Sequence, residues 1–467
     1  MKTAKKTIMG GRRIAALSIC TGCLLSGATA MAAASYSYEN DNKTYVATVT
    51  SAETAISQEA INVLNSNAVT NFIKRGDKSL TVYNSGAYAF TGDVSIETSS
   101  IVVGGTNPLG PSGKISINNQ RAFVFSKATV SKDVLFAGGA WNDNTKISVW
   151  AGTSQLNGKL MLGGESNVVV TAYDGARMTF ANGFEDAPGS FAYPYFIPTK
   201  GSTFVFSNRP VNMRASFFIK PNTTQYPLAS DGFAGRFVFS VAGNKIGNFG
   251  FDNGSADSRL NWCQLKTTVD YVFDINALSK VWMGHDSEWD LCGTTQRIKQ
   301  LDVKVRTGNP SVITNSFATP ATLYMGMMYN YWDGKAAPII RFGGNLSVVF
   351  ENNFYDTMVN YEMTATGDLI INGTGTLVFQ ANGSWANAAN VMVNSTTGKI
   401  TIANPNALGR KTNVNLKSNS SLEIASGVTV CVNTLTVGGV QKPAGDYTFG
   451  SGTLSVLRPR GFMLSVQ

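Results

Sequence analysis

Two stretches of the chain, KSLTVYNSGAYAFTGDVSIETSSIVVGGTNPLG at 78–110 and GTLVFQANGSWANAANVMVNSTTGKITIANPNALG at 375–409, follow one plan. Each contains short runs of alternating apolar residues, such as Leu80 and Val82, then glycine-containing turns and an Asn-x-Leu-Gly stop. Alternation with a period of two predicts strands with one apolar face. A single unit cannot bury that face, so its recurrence predicts stacked repeats.

The two copies stay in register when Asn107 is aligned with Asn406. The alignment then pairs apolar or glycine positions: Ile101 with Ile400, Leu109 with Leu408, Gly110 with Gly409, Ile115 with Val414, and Ile117 with Leu416. A propeller would repeat four strands per blade with a fixed aromatic signature, which this sequence lacks. The pattern therefore predicts an all-β chain folded as a β-solenoid.

Four sequence anchors resemble the autotransporter-associated β-strand repeats of bacterial surface proteins. They are Lys-x-Gly-x-x-x-Leu-x-Val at 74–82 with Ser-Gly-Ala-Tyr at 85–88, the Asn-x-Leu-Gly stops, DLCGTTQRIKQLDV and VITNSFATPATL within 290–323, and the closing coil at 435–457. With the stretches between them they cover somewhat over half of the mature chain. Cys292 stands where this family usually has Asn. The resemblance implies a right-handed parallel β-helix that acts at the cell surface, with carbohydrate or a surface protein as its partner.

The chain departs from the full plan of that family at its C-terminus. Only RPRGFMLSVQ, at 458–467, follows Leu457. A translocating barrel needs many strands of about ten residues each. We therefore expect no C-terminal translocator barrel, and either a separate exporter or a stand-alone secreted form.

The first 34 residues have the pattern of a secretory signal peptide. A basic start precedes an apolar stretch from Ile14 to Leu25 and small residues in Ala-x-Ala spacing. We therefore expect an exported protein, located outside the cell, at its surface or in the periplasm. Five of the 38 basic residues lie in this segment, which brings the mature chain close to balance with its 29 acidic residues. The basic residues are dispersed rather than clustered, so the sequence contains no basic patch for nucleic-acid binding. No later apolar run is long enough to span a membrane as a helix.

Changes in sequence pattern, rather than boundaries between globular domains, divide the mature chain into segments. We expect an N-terminal cap at 35–71, solenoid repeats at 72–187, divergent aromatic-rich coils at 188–344, repeats with a terminal coil at 345–457, and a tail at 458–467. In the cap, residues at helical spacing predict a short helix over about 50–69: Ile56, Ala60, Leu64 and Ala68. Thr50 and Glu53 have the spacing of a capping box at its start.

The divergent coils are rich in aromatic residues, which allow two interpretations. The residues include Tyr193, Tyr195, Phe196, Trp262, Trp282, Trp289 and the run MGMMYNYWDG at 325–334. Inward rings would fill wide coils, whereas outward rings would form platforms for sugars or a partner protein. Tyr329, Tyr331 and Trp332 are the candidate ligand-binding residues, because two of them alternate with polar Asn330.

Catalytic, metal and cofactor signatures are weak in this sequence. The single histidine, His285, is followed by Asp286, Glu288 and Asp290, but strand alternation would put it on the opposite face from these carboxylates. The glycine turn at 251–258 lacks the bidentate glutamate of a calcium loop. We expect no catalytic residue, no metal and no cofactor, and expect His285→Ala to leave function intact. The alternative is a β-helix polysaccharide lyase or glycoside hydrolase, which would need several carboxylates to converge: Asp252, Asp257, Asp286 and Glu288.

Three cysteines lie beyond the signal segment. Export favours oxidised thiols, so Cys263 and Cys292 are a candidate disulfide across the least repetitive stretch. Cys292 could instead replace a stacked asparagine inside a coil. Cys431, in the alternating stretch VTVCVNTLTV, is interpreted as a small buried hydrophobic residue.

Overall fold

A computed structural model describes residues 34–458 except for short gaps. The gaps fall at 41, 51, 85–88, 119–120, 137–145, 165–166, 174, 200, 220–232, 252–261, 279, 285–286, 305–310, 331–338, 352–359, 374 and 380–384. The described chain is a β-solenoid of about 13 turns with one helix. Its buried apolar residues form one continuous core that runs from Ala34 to Val456.

The strands are short and follow one another with tight turns between them. The first part contains β1 (Ser35–Glu39), β2 (Thr44–Thr48), β3 (Thr54–Ala55), α1 (Gln58–Asn65), β4 (Asn71–Arg75), β5 (Leu80–Asn84), β6 (Asp93–Ile96), β7 (Ser100–Thr106), β8 (Lys114–Ile117), β9 (Ala122–Val130), β10 (Asp133–Phe136), β11 (Lys146–Ala151), β12 (Thr153–Leu156), β13 (Leu160–Leu162), β14 (Asn167–Ala172), β15 (Arg177–Phe180) and β16 (Phe184–Asp186). The middle part contains β17 (Tyr193–Pro198), β18 (Ser202–Phe206), β19 (Val211–Ile219), β20 (Phe233–Phe239), β21 (Lys245–Phe251), β22 (Trp262–Thr267), β23 (Lys280–Gly284), β24 (Ser287–Asp290), β25 (Thr295–Lys304), β26 (Ser311–Asn315), β27 (Ala321–Asn330), β28 (Ile339–Gly344), β29 (Leu346–Phe350) and β30 (Asn360–Met363). The last part contains β31 (Leu369–Ile371), β32 (Gly375–Phe379), β33 (Asn390–Val393), β34 (Gly398–Ile402), β35 (Asn413–Leu416), β36 (Ser421–Ile424), β37 (Thr429–Val432), β38 (Thr434–Val437), β39 (Val440–Gln441), β40 (Gly445–Phe449) and β41 (Gly452–Val456).

Strands of successive turns pair in parallel and build three faces. The first face begins with β2, β4, β6, β8, β10, β13 and β16. The second face contains β3, β5, β7, β9, β11, β14, β17, β21 and β23, and the end of β9 continues onto the third face beside β12. The third face contains β12, β15, β18, β20, β22, β24, β26, β28 and β30. The long strands β19, β25 and β27 turn the corner from the first face to the second.

The predicted alternation and the predicted repeat alignment are both confirmed. Strands β6, β7 and β8 in the first copy correspond to β33, β34 and β35 in the second, because Val94 pairs with Ile115 and Val391 pairs with Val414. All four side chains are buried. The apolar alternation therefore marks the inward face of each strand, as one buried face requires.

The two Leu-Gly stops lie at corners of the solenoid. Leu109 and Leu408 are buried, and each precedes a glycine that contacts the turn before it. A Cβ atom on Gly110 would lie 1.7 Å from the carbonyl oxygen of Phe90, and one on Gly409 would lie 1.9 Å from that of Ala386. Neither glycine could carry a side chain without moving the backbone.

The helix is shorter than predicted. Ser57 is the N-cap of α1, and its hydroxyl accepts a hydrogen bond from the amide of Ala60 at 3.2 Å. The predicted start at Thr50 was wrong, because the intervening residues form β3 and pair with β5. Ala60 and Leu64 lie in α1 and are buried, whereas Ala68 lies beyond its end and is exposed. No helix among the described residues is long and apolar enough to cross a bilayer.

Phenylalanine rings fill the middle of the solenoid in stacks that run from turn to turn. Phe180, Phe206 and Phe239 stack with ring centroids 5.4 and 4.6 Å apart, and Phe196 stacks on Phe217 at 4.4 Å. The ring spacing is close to the strand spacing of about 4.8 Å, so each turn contributes one ring to each stack. Inward rings at this part of the chain are one of the two predicted interpretations, and these residues follow it.

Two lysines, Lys74 and Lys132, are completely buried, although no sequence pattern predicted this. Lys74 Nζ donates to the carbonyl oxygens of Gly76 at 2.9 Å and Thr98 at 3.0 Å, and also to that of Lys78. Lys132 Nζ donates to the carbonyls of Phe90 at 3.3 Å, Gly92 at 2.6 Å and Ser112. Each ammonium group thus satisfies carbonyl groups of turns on two or more coils.

Candidate functional site

A strip of outward aromatic side chains crosses the second face. We name it the aromatic strip and define it as Phe191, Tyr193, Tyr195, Phe218 and Trp282. Tyr195 stacks on Phe218 with ring centroids 5.6 Å apart and planes at 16°, and Phe218 lies 5.6 Å from Trp282. Phe191 meets Tyr193 edge-on at 5.3 Å. Phe191 is exposed and the other four rings are half-buried, so the strip presents aromatic surface to solvent.

Strand register explains why these rings meet. Tyr195 pairs with Phe218, Phe218 with Gly250, and Gly250 with Trp282, so the four positions lie in one row across four turns. A Cβ atom on Gly250 would lie 2.9 Å from Trp282 Cβ and 3.2 Å from its ring. Because Gly250 has no side chain, the indole fills the space above it and reaches Phe218.

A polar row runs beside the aromatic one. Ser216 pairs with Asn248 and Asn248 with Lys280 on the same three strands, β19, β21 and β23. Asn248 Nδ2 donates to Ser216 Oγ at 2.9 Å. Asn248 Oδ1 is buried and has no hydrogen-bond partner among the described residues, and the same holds for Trp282 Nε1. A hydrogen-bonding partner is therefore missing for one acceptor and one donor beside the strip.

Cations lie at both ends of the strip. Lys280 Nζ lies 4.6 Å from the Trp282 ring centroid and 2.9 Å from Asp302 Oδ2. At the other end the guanidinium of Arg214 lies 5.9 Å from the Phe191 ring centroid. Arg214 Nε also lies 3.7 Å from Asp186 Oδ2, so each cation is paired with a carboxylate. The site combines flat aromatic surface, the half-buried amide of Asn248 and these two cations, which together can stack on a ring and hydrogen-bond to polar substituents.

The predicted ligand-binding residues are only partly placed. The backbone of Tyr329 pairs with Asp302, and Asp302 pairs with Trp282, so Tyr329 continues the register row of the aromatic strip. The side chain of Tyr329 lies outside the described part of the chain, as do Tyr331 and Trp332. Their role in binding stays a prediction.

The remaining aromatic residues divide between inside and outside. Phe196 and Trp289 point inward and are fully buried, and Trp289 Nε1 donates to Thr267 Oγ1 at 3.2 Å. The side chain of Trp262 is not described. Sequence reasoning missed Phe191 and Phe218. Alternation within β19 could have indicated Phe218 as outward, but its stacking partners depend on register between turns.

Two of the acidic residues discussed from the sequence, Glu288 and Asp290, lie on the third face. Glu288 and Asp290 share the outer side of β24, as alternation predicted. Burial raises the pKa of Glu288 above its ordinary value. The hydrogen bond that Gln264 Nε2 donates to Glu288 at 2.6 Å lowers this pKa but does not outweigh burial. Arg236 Nε donates to Gln264 Oε1 at 3.1 Å, which makes a row of three polar side chains.

Asp290 has a structural environment. It is fully buried, and its oxygens accept from the amides of Cys292 at 3.1 Å and Ser316 at 3.0 Å and from Ser316 Oγ at 2.6 Å. Burial would raise the pKa of this carboxyl, but these hydrogen bonds and Lys266, 3.4 Å away, outweigh burial and lower it. No oxygen of Asp290 is open to a substrate. His285, Asp286, Asp252 and Asp257 lie outside the described residues.

The cysteines are unpaired thiols in this structure. Cys263 and Cys292 are both buried, and burial raises the pKa of each to about 12. Thiols with such a pKa are largely protonated at neutral pH and react slowly. Cys431 is half-buried on the outer side of β37, so its assignment to the core was wrong; Val430 and Val432 face inward instead.

The described residues contain no cluster of three or more side chains able to hold a metal ion. Comparison with known proteins gives no match to a family model, to a curated protein or to a solved structure. The fold and the aromatic strip therefore define the protein only as a β-solenoid with an outward aromatic surface.

Proposed function

We propose that this protein is an exported, non-catalytic β-solenoid that binds carbohydrate at the aromatic strip and serves as an adhesive or interaction scaffold. The observation that carries the proposal is the stacked row of Tyr195, Phe218 and Trp282 on an outer face. Sugar rings present C–H faces that stack on aromatic rings and hydroxyls that need polar partners. Asn248, half-buried in the adjacent row, and Lys280, beside Trp282, would supply such partners.

The direction of the strip favours an extended ligand. Its rows run from turn to turn, along the solenoid axis, and the cations Arg214 and Lys280 flank the rings. A polysaccharide lying along the axis would contact several rings at once, and each contact would add to the affinity. A surface protein that carries exposed sugars would bind to the same rings of the aromatic strip.

A glycan-array screen tests this function. The full chain, expressed for export and purified after processing, should bind a subset of glycans, and Trp282→Ala should weaken that binding by at least about 2 kcal/mol, typical of aromatic anchors. The matched control is Tyr83→Ala. Tyr83 is an exposed ring that lies over Gly104 on the next turn, as Trp282 lies over Gly250. Equal effects of both substitutions, or no glycan bound, would refute the proposal.

A polysaccharide lyase or glycoside hydrolase is the second candidate, supported by the raised pKa of Glu288 on the third face. A carboxyl with a raised pKa can act as a general acid. The burial of Asp290 leaves Glu288 without an accessible partner on β24. Product analysis on bound glycans decides: cleavage that is lost in Glu288→Gln would establish the enzyme.

The resemblance to autotransporter-associated repeats motivates three finer elements of the proposal. We propose right-handed winding, a capping role for α1 at the N-terminal end, and export through the first 34 residues. Supporting the capping role, Asn65 Oδ1 and Asn67 Oδ1 accept hydrogen bonds from the backbone of Ala89 and Thr91 on the next turn, at 2.8 and 3.3 Å. N-terminal sequencing of the secreted chain tests the export signal.

A further inference from the structure

A hollow of about 440 Å³ opens at a corner of three stacked turns near the C-terminal end. Its lining includes Thr366 on one turn, Asn387 and Ala388 on the next, and Arg410, Lys411 and Asn413 on the third. The turns are joined by backbone hydrogen bonds, from Ala389 to Gly367 at 3.1 Å and from Asn413 to Ala389 at 3.0 Å. The hollow lies outside the aromatic strip and shares no residue with it.

The turn that carries the two cations is held in place. Thr412 is fully buried, and its hydroxyl donates to the carbonyl oxygen of Ala388 at 2.8 Å. Its amide donates to the carbonyl of Gly409 at 3.0 Å. Because Gly409 lies directly against Ala386, the backbone around Arg410 and Lys411 has little room to move.

Asparagine side chains close one wall of the hollow. Asn413 Nδ2 donates to Asn390 at 3.1 Å, and Asn413 Oδ1 accepts from Asn433 at 2.9 Å and Thr434 at 2.8 Å. Asn390 in turn donates to Asp368 at 2.6 Å. These hydrogen bonds hold the side-chain amide of Asn413 in place. The Asn413 side chain therefore forms one wall of the hollow.

The hollow is cationic. Arg410 and Lys411 are exposed, and neither forms an ion pair with any described residue. None of the residues that line the hollow is acidic. Two adjacent unpaired cations on a fixed turn, beside a concave surface, are complementary to a negatively charged group. A guanidinium offers a planar fork for two oxygens, and the ammonium adds a point charge.

We propose that the Arg410–Lys411 hollow binds an oxyanion, the carboxylate or sulfate group of an acidic sugar. The site is separate in place and in chemistry from the aromatic strip, whose contacts suit sugar ring faces. It would orient an acidic polysaccharide on the solenoid. Affinity at this site should fall with added salt because the cations are exposed.

Calorimetric titration of the full chain at low ionic strength tests the site with three probes: oligogalacturonate, a sulfated oligosaccharide and inorganic sulfate. Arg410→Gln with Lys411→Gln should weaken binding of at least one acidic oligosaccharide about tenfold or more, as loss of charged hydrogen bonds does. The control pair Arg209→Gln with Lys245→Gln removes the same charge from exposed positions elsewhere and should change affinity less than about twofold.

The outcomes separate this site from the aromatic strip. Inorganic sulfate has no ring face for the aromatic strip to stack on. Sulfate binding that is lost in Arg410→Gln with Lys411→Gln therefore reports on the hollow, whatever the strip binds. Inorganic sulfate bound as tightly as the oligosaccharides would support the oxyanion site and assign it to the free anion. No binding of any probe, or equal weakening in the control pair, would overturn the proposal.

Discussion

Single residues at the corners decide how closely the turns of this solenoid can stack. Lys132 is the clearest case, because its ammonium satisfies carbonyls of Phe90, Gly92 and Ser112 and also lies 5.0 Å from the Phe90 ring centroid. Buried carbonyl groups without partners would each cost about 1–3 kcal/mol. One side chain thus replaces several backbone partners that the tight corner cannot supply.

Burial lowers the pKa of Lys132 from 10.5 to about 8, which gives its contribution to stability a pH dependence. Between about pH 8 and 10.5 the unfolded chain binds more protons than the folded chain, so this contribution rises as the pH rises through that window. The difference in unfolding free energy between the wild type and Lys132→Met should therefore grow from pH 8 to pH 10, measured by denaturant titration. Exposed Lys417→Met is the control, and an equal difference at both pH values for Lys132→Met would contradict the prediction.

The corner leucines give a second prediction at this scale. Leu109 and Leu408 are 1% and 5% exposed, so truncation to alanine should cost about 2 to 5 kcal/mol at either site. Unfolding of both variants in denaturant measures the cost. A change below about 0.5 kcal/mol at both would show that the corners do not depend on these side chains.

At the scale of elements, the strands are stabilised mainly by the side chains that stack inside the solenoid. The rings of Phe180, Phe206 and Phe239 come from β15, β18 and β20 on three successive turns, with planes 15° and 16° apart. A stack of this kind fixes the register of the third face, since a one-residue slip would turn each ring outward.

Phe206→Ala removes the central ring of this stack. The loss of a buried aromatic ring should cost about 3 to 5 kcal/mol in unfolding free energy, and the neighbours on both sides should lose contacts. Phe317, which is 51% exposed, provides the matched control, and Phe317→Ala should change stability by less than about 0.5 kcal/mol. Similar losses for the two variants would argue against the ring stack as a source of stability.

Sequence reasoning reached the strands and the repeat but only part of the site. Alternation placed Leu80, Val82, Val94 and Ile96 in the core, because a period of two directly reports one buried face. It could not assemble the aromatic strip, since the contact of Phe218 with Trp282 depends on register across turns and on the space above Gly250. Lys132 was missed for the same reason, as its carbonyl partners lie 20 to 42 residues away.

At the scale of the whole molecule, the continuous core from Ala34 to Val456 makes the described chain one stacked body. About 13 turns at about 4.8 Å per turn give an axis of roughly 60 Å. The purified protein should therefore give a β-dominated circular dichroism spectrum and a skewed pair-distance distribution in small-angle scattering. A helix-rich spectrum or a symmetric distribution would contradict the solenoid.

The most direct test of carbohydrate binding at the aromatic strip is a crystal structure of the protein with the oligosaccharide that gives the strongest array signal. We predict sugar ring planes stacked on the outer faces of Tyr195, Phe218 and Trp282, with hydroxyls within hydrogen-bond distance of Asn248 or Lys280. A saccharide bound on the third face beside Glu288, with the aromatic strip unoccupied, would contradict the account.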